Sequence, residues 1–203
     1  MCFPYLYSME MMKDILERVE KKMIMGGKIY SAMSFQFWVV VLAGYYVISY
    51  AIKDYGITTM VYWTSAGIFF IYLMRKIWKK IVQLYEAKRS YRGIEVVTWL
   101  IAAFVGWFLI PWILQTKIGF LVSLAIGLLS FIFLGIIGML LTYHLITKRW
   151  EKELLPGAFI PLILMPLLFF ISIDPMYYAR MIVVLAYGIT VFLYLYDAFK
   201  YIG

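Results

Sequence analysis

The side chains able to do chemistry are few and far apart. His144 is the single histidine, and Ser130, on the same apolar stretch, lies fourteen residues away. On one helix that separation is about 21 Å, too long for a serine to pass its proton to an imidazole. No Cys, Asp or Glu stands at ligand spacing from His144, so a zinc site is not expected there. Cys2 is the only cysteine, which rules out an intrachain disulfide. The acids fall outside the apolar stretches or at their ends. Glu95 begins one stretch, Asp174 precedes Pro175, and Asp197 stands one turn before Lys200. Asp174-Pro175 reads as a helix opening, with Asp as cap and Pro at the first helical position. Asp197 and Lys200 read as an exposed pair of small energetic value. Nucleophile-elbow, HExxH, phosphate-loop and DxxD patterns are missing. No catalytic residue, no cofactor and no metal site is therefore expected.

These groups sit in a chain built for lipid. Of 203 residues, 65% are apolar and 15% charged, and the mean hydropathy is +0.88; a soluble domain carries about 25% charged residues. Uncharged runs occupy 29–52, 55–74, 96–116, 118–147, 154–173 and 181–196. A membrane-crossing helix needs about 20 such residues. The sixth run is short, but a helix starting at Pro175 and reaching about Ala198 is long enough if Arg180 snorkels to the headgroups. The first eight residues lack the basic and apolar regions of a cleavable signal peptide.

The lysines and arginines set an orientation. Sixteen of nineteen lie before the first run, between the second and third, between the fourth and fifth, and at the tail; Lys53, Lys117 and Arg180 lie on the other side. Positive loops stay in the cytoplasm. The expectation is a multi-pass protein of the cell membrane with both termini cytoplasmic, its basic face on an anionic inner leaflet. The net charge of +8 then belongs to that leaflet, and nucleic acid is not an expected partner. Aromatic residues gather toward both ends of the runs, as interfacial belts do.

The expected fold is all-α, with six transmembrane helices forming three antiparallel hairpins. The spans are placed at about 30–52, 55–75, 95–115, 118–147, 157–173 and 175–198, within a single domain over 29–200. Very short turns near Lys53-Asp54, Gln115-Thr116-Lys117 and Ser172-Ile173-Asp174 force consecutive helices to be neighbours. A weak repeat relates Gly44–Tyr50 to Gly106–Trp112. Residues 1–28 are expected to form a separate amphipathic helix, with Met12, Ile15, Leu16, Val19 and Met23 as its apolar stripe. A second, strongly basic surface helix is expected over Arg75–Tyr91, with Arg75, Lys76, Lys79 and Lys80 as a cytoplasmic docking face.

Two further features concern packing. Gly119, Ser123, Gly127, Ser130, Gly138 and Thr142 fall on one side of the fourth span, and small residues let helix backbones approach in lipid. That span is also long, about 45 Å for thirty uncharged residues. Pro161 and Pro166 interrupt the fifth span and are candidate hinges.

No Asp, Glu, Lys or Arg stands near the middle of any run, where ion-coupled transporters usually place one. Surface helix, six spans, cytoplasmic termini and a basic helix between spans 2 and 3 form a layout that resembles that of ABC-type permease subunits. The resemblance is one of layout and not of residue motif, and the link between spans 5 and 6 is shorter than such subunits often have. It implies a transport component working with a partner. The alternative is a non-catalytic accessory or scaffold subunit of a larger membrane complex, with span 4 as its contact face; an enzyme acting on lipid is the least favoured class. Either leading reading implies a protein partner or a homo-oligomer.

Overall fold

The computed structural model describes residues 3–51, 56–82, 92–148, 150–171 and 174–201. The turn at Lys53-Asp54, the Ser172-Ile173 part of the last turn, Cys2 and most of the 83–92 stretch fall outside the described residues or side chains.

The chain is all-helical among the described residues. Helix α1 covers Phe3–Ala51 and α2 covers Ile57–Val82. Helix α3 (Arg92–Phe104) passes through a π-turn (Val105–Leu109) into α4 (Ile110–Ile118). Helix α5 covers Phe120–Thr147, and α6 (Leu155–Leu164) is flanked by 3₁₀ turns at Lys152–Leu154 and Met165–Phe169. Helix α7 covers Pro175–Phe199. Six of these segments are long and apolar enough to cross a membrane: Met11–Ser49, Ile57–Ile77, Gly93–Ile118, Phe120–Leu145, Lys152–Phe169 and Pro175–Phe199. They define the class: a multi-pass membrane protein.

Helix α5 lies at the centre, where half of its span is buried, against 11% for α2 and 17% for α3–α4. Leu129 and Ile136 of α5, Pro161 of α6, Leu168 of the following turn, and Val183 and Thr190 of α7 are all fully buried. Helices α1 and α7 run in opposite directions along each other. Tyr46 near the end of α1 donates its hydroxyl proton to the carbonyl of Tyr177, 2.6 Å away, near the start of α7. Midway, Phe35 meets the rings of Tyr187 and Tyr194.

Local chemistry explains the breaks. Pro111 lacks an N–H and would crowd the carbonyl four residues earlier. The chain widens instead: Ile110 N–H reaches back five residues to the Val105 carbonyl. Ser49 occupies the matching place in Gly44–Tyr50, and α1 passes through as regular helix, so the two similar runs differ in geometry. Gly119, at φ 85°, turns α4 into α5. Asp174 caps α7 as its sequence suggests, its carboxylate accepting from Met176 N–H at 2.9 Å.

Helix α1 runs without interruption through residue 28; no proline or turn residue stops it. The fifth segment was placed at 157–173, but its helical part starts with the 3₁₀ turn at Lys152 and ends at Phe169. The 3₁₀ turns rise about 2 Å per residue, so these 18 residues still cover about 30 Å. The Arg180 guanidinium lies over the Tyr45 ring, 4.6 Å from the centroid.

Candidate functional site: an ion cluster joining three elements

One end of the α1–α7 pair gathers the charges that the sequence scatters. Lys28 Nζ lies 3.1 Å from Glu151, 3.0 Å from Glu153 and 3.4 Å from Asp197. Lys200, one turn beyond Asp197, adds a contact at 3.1 Å. The side chains of Lys28, Glu151, Glu153 and Asp197 are only 11–20% exposed. Beneath Lys28 lies the Tyr194 ring, 5.4 Å to its centroid, and the Tyr194 hydroxyl interacts with Glu151 and Ser31.

Each group arrives by a local device. Lys148 takes a left-handed conformation (φ 57°) and closes α5 with its N–H on the His144 carbonyl, 2.8 Å away. The chain reverses there, and the 3₁₀ turn at Lys152–Leu154 presents Glu151 and Glu153 inward while Leu154 anchors in the core. The last turn of α7 supplies Asp197, and α1 supplies Lys28 as it enters the bundle.

The electrostatics are unbalanced. Three carboxylates face one enclosed ammonium, with the Lys200 ammonium on the rim. Glu153 and Asp197 meet the same ammonium, which brings their like charges close together. One oxygen of Glu153 is buried with no hydrogen-bond partner among the described residues. The Lys200 pKa is raised, first by its hydrogen bond to Asp197 and then by the charge of that carboxylate. Chemically the arrangement is a tie: it binds α1, the α5–α6 connection and the end of α7 through one cation. Among the described residues no group of three or more His, Cys, Asp and Glu is arranged to hold a metal ion.

Sequence reasoning missed this cluster. It took Asp197 as half of an exposed pair and gave Glu151 and Glu153 no role. The usable signal was charge of opposite sign at one depth. Residues just before span 1, just before span 5 and at the end of span 6 lie on one side in any six-span chain.

The residues that the sequence did single out go elsewhere. On α5, Ser123, Gly127 and Thr142 are buried, Ser130 and Gly138 half-buried, and Gly119 exposed. Part of the face meets this chain itself: a side chain at Gly127 would strike the Gly106 carbonyl, and one at Gly138 would strike Thr98. The backbones of α5 and the π-turn thus pass in direct contact. Part of the small-residue face of span 4 thus packs within the bundle, against α3, the π-turn and Pro111. Pro161 is buried inside α6, and Pro166 stands exposed at the start of the following 3₁₀ turn. Arg75, Lys76 and Lys79 are exposed on α2; the Lys80 side chain is outside the described set. His144 stacks on Trp150, centroids 4.1 Å apart, and its Nδ1 is buried without a hydrogen-bond partner among the described residues.

At the opposite end of the α1–α7 pair the contacts are aromatic. Tyr45 meets Thr59 at 3.0 Å and packs on Tyr62 and Trp63, and the Tyr62 hydroxyl donates to the Val41 carbonyl at 2.6 Å. Lys28 and Tyr46 are eighteen residues apart on α1, about 27 Å, close to the hydrocarbon thickness of about 30 Å. Comparison with known proteins finds no matching family, no matching curated protein and no matching solved structure.

Proposed function

We propose that the chain is an integral membrane transport component of permease type that works with a partner chain, its six spans arranged as three antiparallel hairpins with both termini in the cytoplasm. The observation that carries the need for a partner is the filled centre. Leu129, Ile136, Leu168, Val183 and Thr190 occupy the middle of the bundle, so a solute route would run between chains. The uncovered helices, α2 and α3–α4, would line that boundary. Pro161 and Pro166 would supply bending in α6, and Arg75, Lys76, Lys79 and Lys80 a docking surface on the inner side. The stripe Met12, Ile15, Leu16 and Val19, exposed on α1, would meet an anionic inner leaflet or a cytoplasmic partner.

The same filled centre favours a second reading, a non-catalytic accessory subunit. Its partner would sit on α2 or α3–α4, the least covered spans, and not on α5, half of which is already buried.

Purification in a mild detergent, with identification of companion chains and measurement of particle mass, separates the two. A companion ATPase supports the permease reading, redox or processing subunits favour the second, and a lone stable monomer overturns both. In vesicles, single cysteines at Leu129 and Val183 in a Cys2→Ser background are expected to resist a water-soluble maleimide. Their labelling would move the route inside one chain. A cysteine at Lys79 labelled from the exterior would overturn the orientation.

A further inference from the structure

We propose that Gly26, Gly27 and Lys28 form a locked hinge in α1, which sets the direction of the helical arm preceding them. The inference does not depend on whether the chain moves a solute.

Helix α1 is one unbroken helix of 49 residues, yet it contains two consecutive glycines in its interior. Glycine in a helix interior is less favourable than alanine, because its backbone is freer when unfolded. Some glycines of this chain have a steric reason. At Gly106 an added Cβ would lie 2.5 Å from the Phe131 Cβ and 2.7 Å from the Gly127 carbonyl. Gly26 has none: an added Cβ would find nothing within 4 Å. Gly67 and Gly188 are equally open, but only at Gly26 does a second glycine follow at once, and two adjacent glycines are where a helix bends most readily.

The weak point falls where α1 changes its surroundings. Residues 11–22 are exposed on every side, 23–28 are half-buried, and Ala32 and Phe35 are in the core. The arm carries Asp14–Arg18 and Glu17–Lys21 pairs one turn apart along its own surface. Over residues 10–22 its four acidic and four basic side chains balance. Immediately after the glycines, Lys28 reaches Glu151 and Glu153 of the α5–α6 connection and Asp197 of α7. Three anchors on two elements fix the helix direction in a way one contact cannot. With Lys28 engaged, the glycines are held straight; with it released, the arm pivots at 26–27 while the span stays packed.

The test uses the full chain in lipid nanodiscs, with Cys2→Ser and spin labels on cysteines replacing Lys13 and Leu155. The native lock is expected to give one narrow distance distribution. Lys28→Gln should at least double its width, and adding Gly26→Ala and Gly27→Ala should return it toward the native width. An unchanged width in Lys28→Gln would overturn the lock. A width that the alanines leave broad would overturn the hinge position. Should Lys28→Gln fail to fold, Gly26→Ala in the otherwise native chain still decides: a higher Tm with the same mean distance supports a packing-free glycine, and a lower Tm overturns it.

Discussion

The two ends of the α1–α7 pair are held by opposite means. At one end a lysine is enclosed by carboxylates from two other elements; at the other, Tyr46 bonds to a backbone carbonyl and Arg180 rests on the face of Tyr45. The charged end draws its strength from a low local dielectric, and it fails sharply when one partner is removed, because the remaining charges are left together and partly dehydrated. The aromatic end distributes its stability over ring contacts and hydrogen bonds of modest size, so the loss of any one is small. One helix pair thus joins a fastening that can be undone by a single change of charge to one that can only be worn down.

Lys28→Met gives the largest expected effect. It leaves Glu151, Glu153 and Asp197 facing one another and should cost about 3 kcal/mol, the lower end for a buried pair because these groups retain some exposure. Thermal unfolding in detergent reads this as the greatest fall in Tm, and a fall no larger than that of Tyr46→Phe would erase the contrast between the ends. Gly127→Val comes next, through overpacking against the Gly106 carbonyl, at about 2 kcal/mol. It is a control that loosens α3–α4 from α5 without touching either end. Tyr46→Phe removes one hydrogen bond to Tyr177 and should cost about 1 kcal/mol, with no dependence on salt. A loss that grew or shrank with salt would show that the aromatic end also relies on charge.

The smallest effect belongs to the rim. The raised Lys200 pKa means that its pair with Asp197 contributes fully below the ordinary lysine value of 10.5 and fades as pH rises through the raised one. Lys200→Gln should therefore leave Tm nearly unchanged near neutral pH. A marked fall would make Lys200 part of the tie and not its edge.

Much of the fold was legible from residues alone. The uncharged runs gave six membrane-length segments, and Asp174-Pro175 gave the start of α7 to the residue. Pro111 signalled a disturbance, though not that a π-turn would absorb it, because a proline can be met by a kink, a break or a widened turn. Nor was it legible that α1 would run unbroken through residue 28. An amphipathic stripe next to an apolar run looks like two helices, yet nothing in Gly26-Gly27-Lys28 forbids one. The ion cluster went unread because Lys28 stands more than a hundred residues from Glu151, Glu153 and Asp197, and each alone resembles an ordinary end-of-helix charge.

Sequence by itself determined the solvent: the length and purity of the apolar runs decide that backbone groups are satisfied within helices, whatever neighbours those helices find. Tertiary structure alone decided which charges meet and which small residues are covered. Lys28 becomes an enclosed cation only when the connection before α6 and the end of α7 arrive at its depth, and Gly127 becomes a contact only when the π-turn is laid across it. Ion pairing and backbone contact act over a few ångströms, so they exist only once the chain has brought distant residues that close.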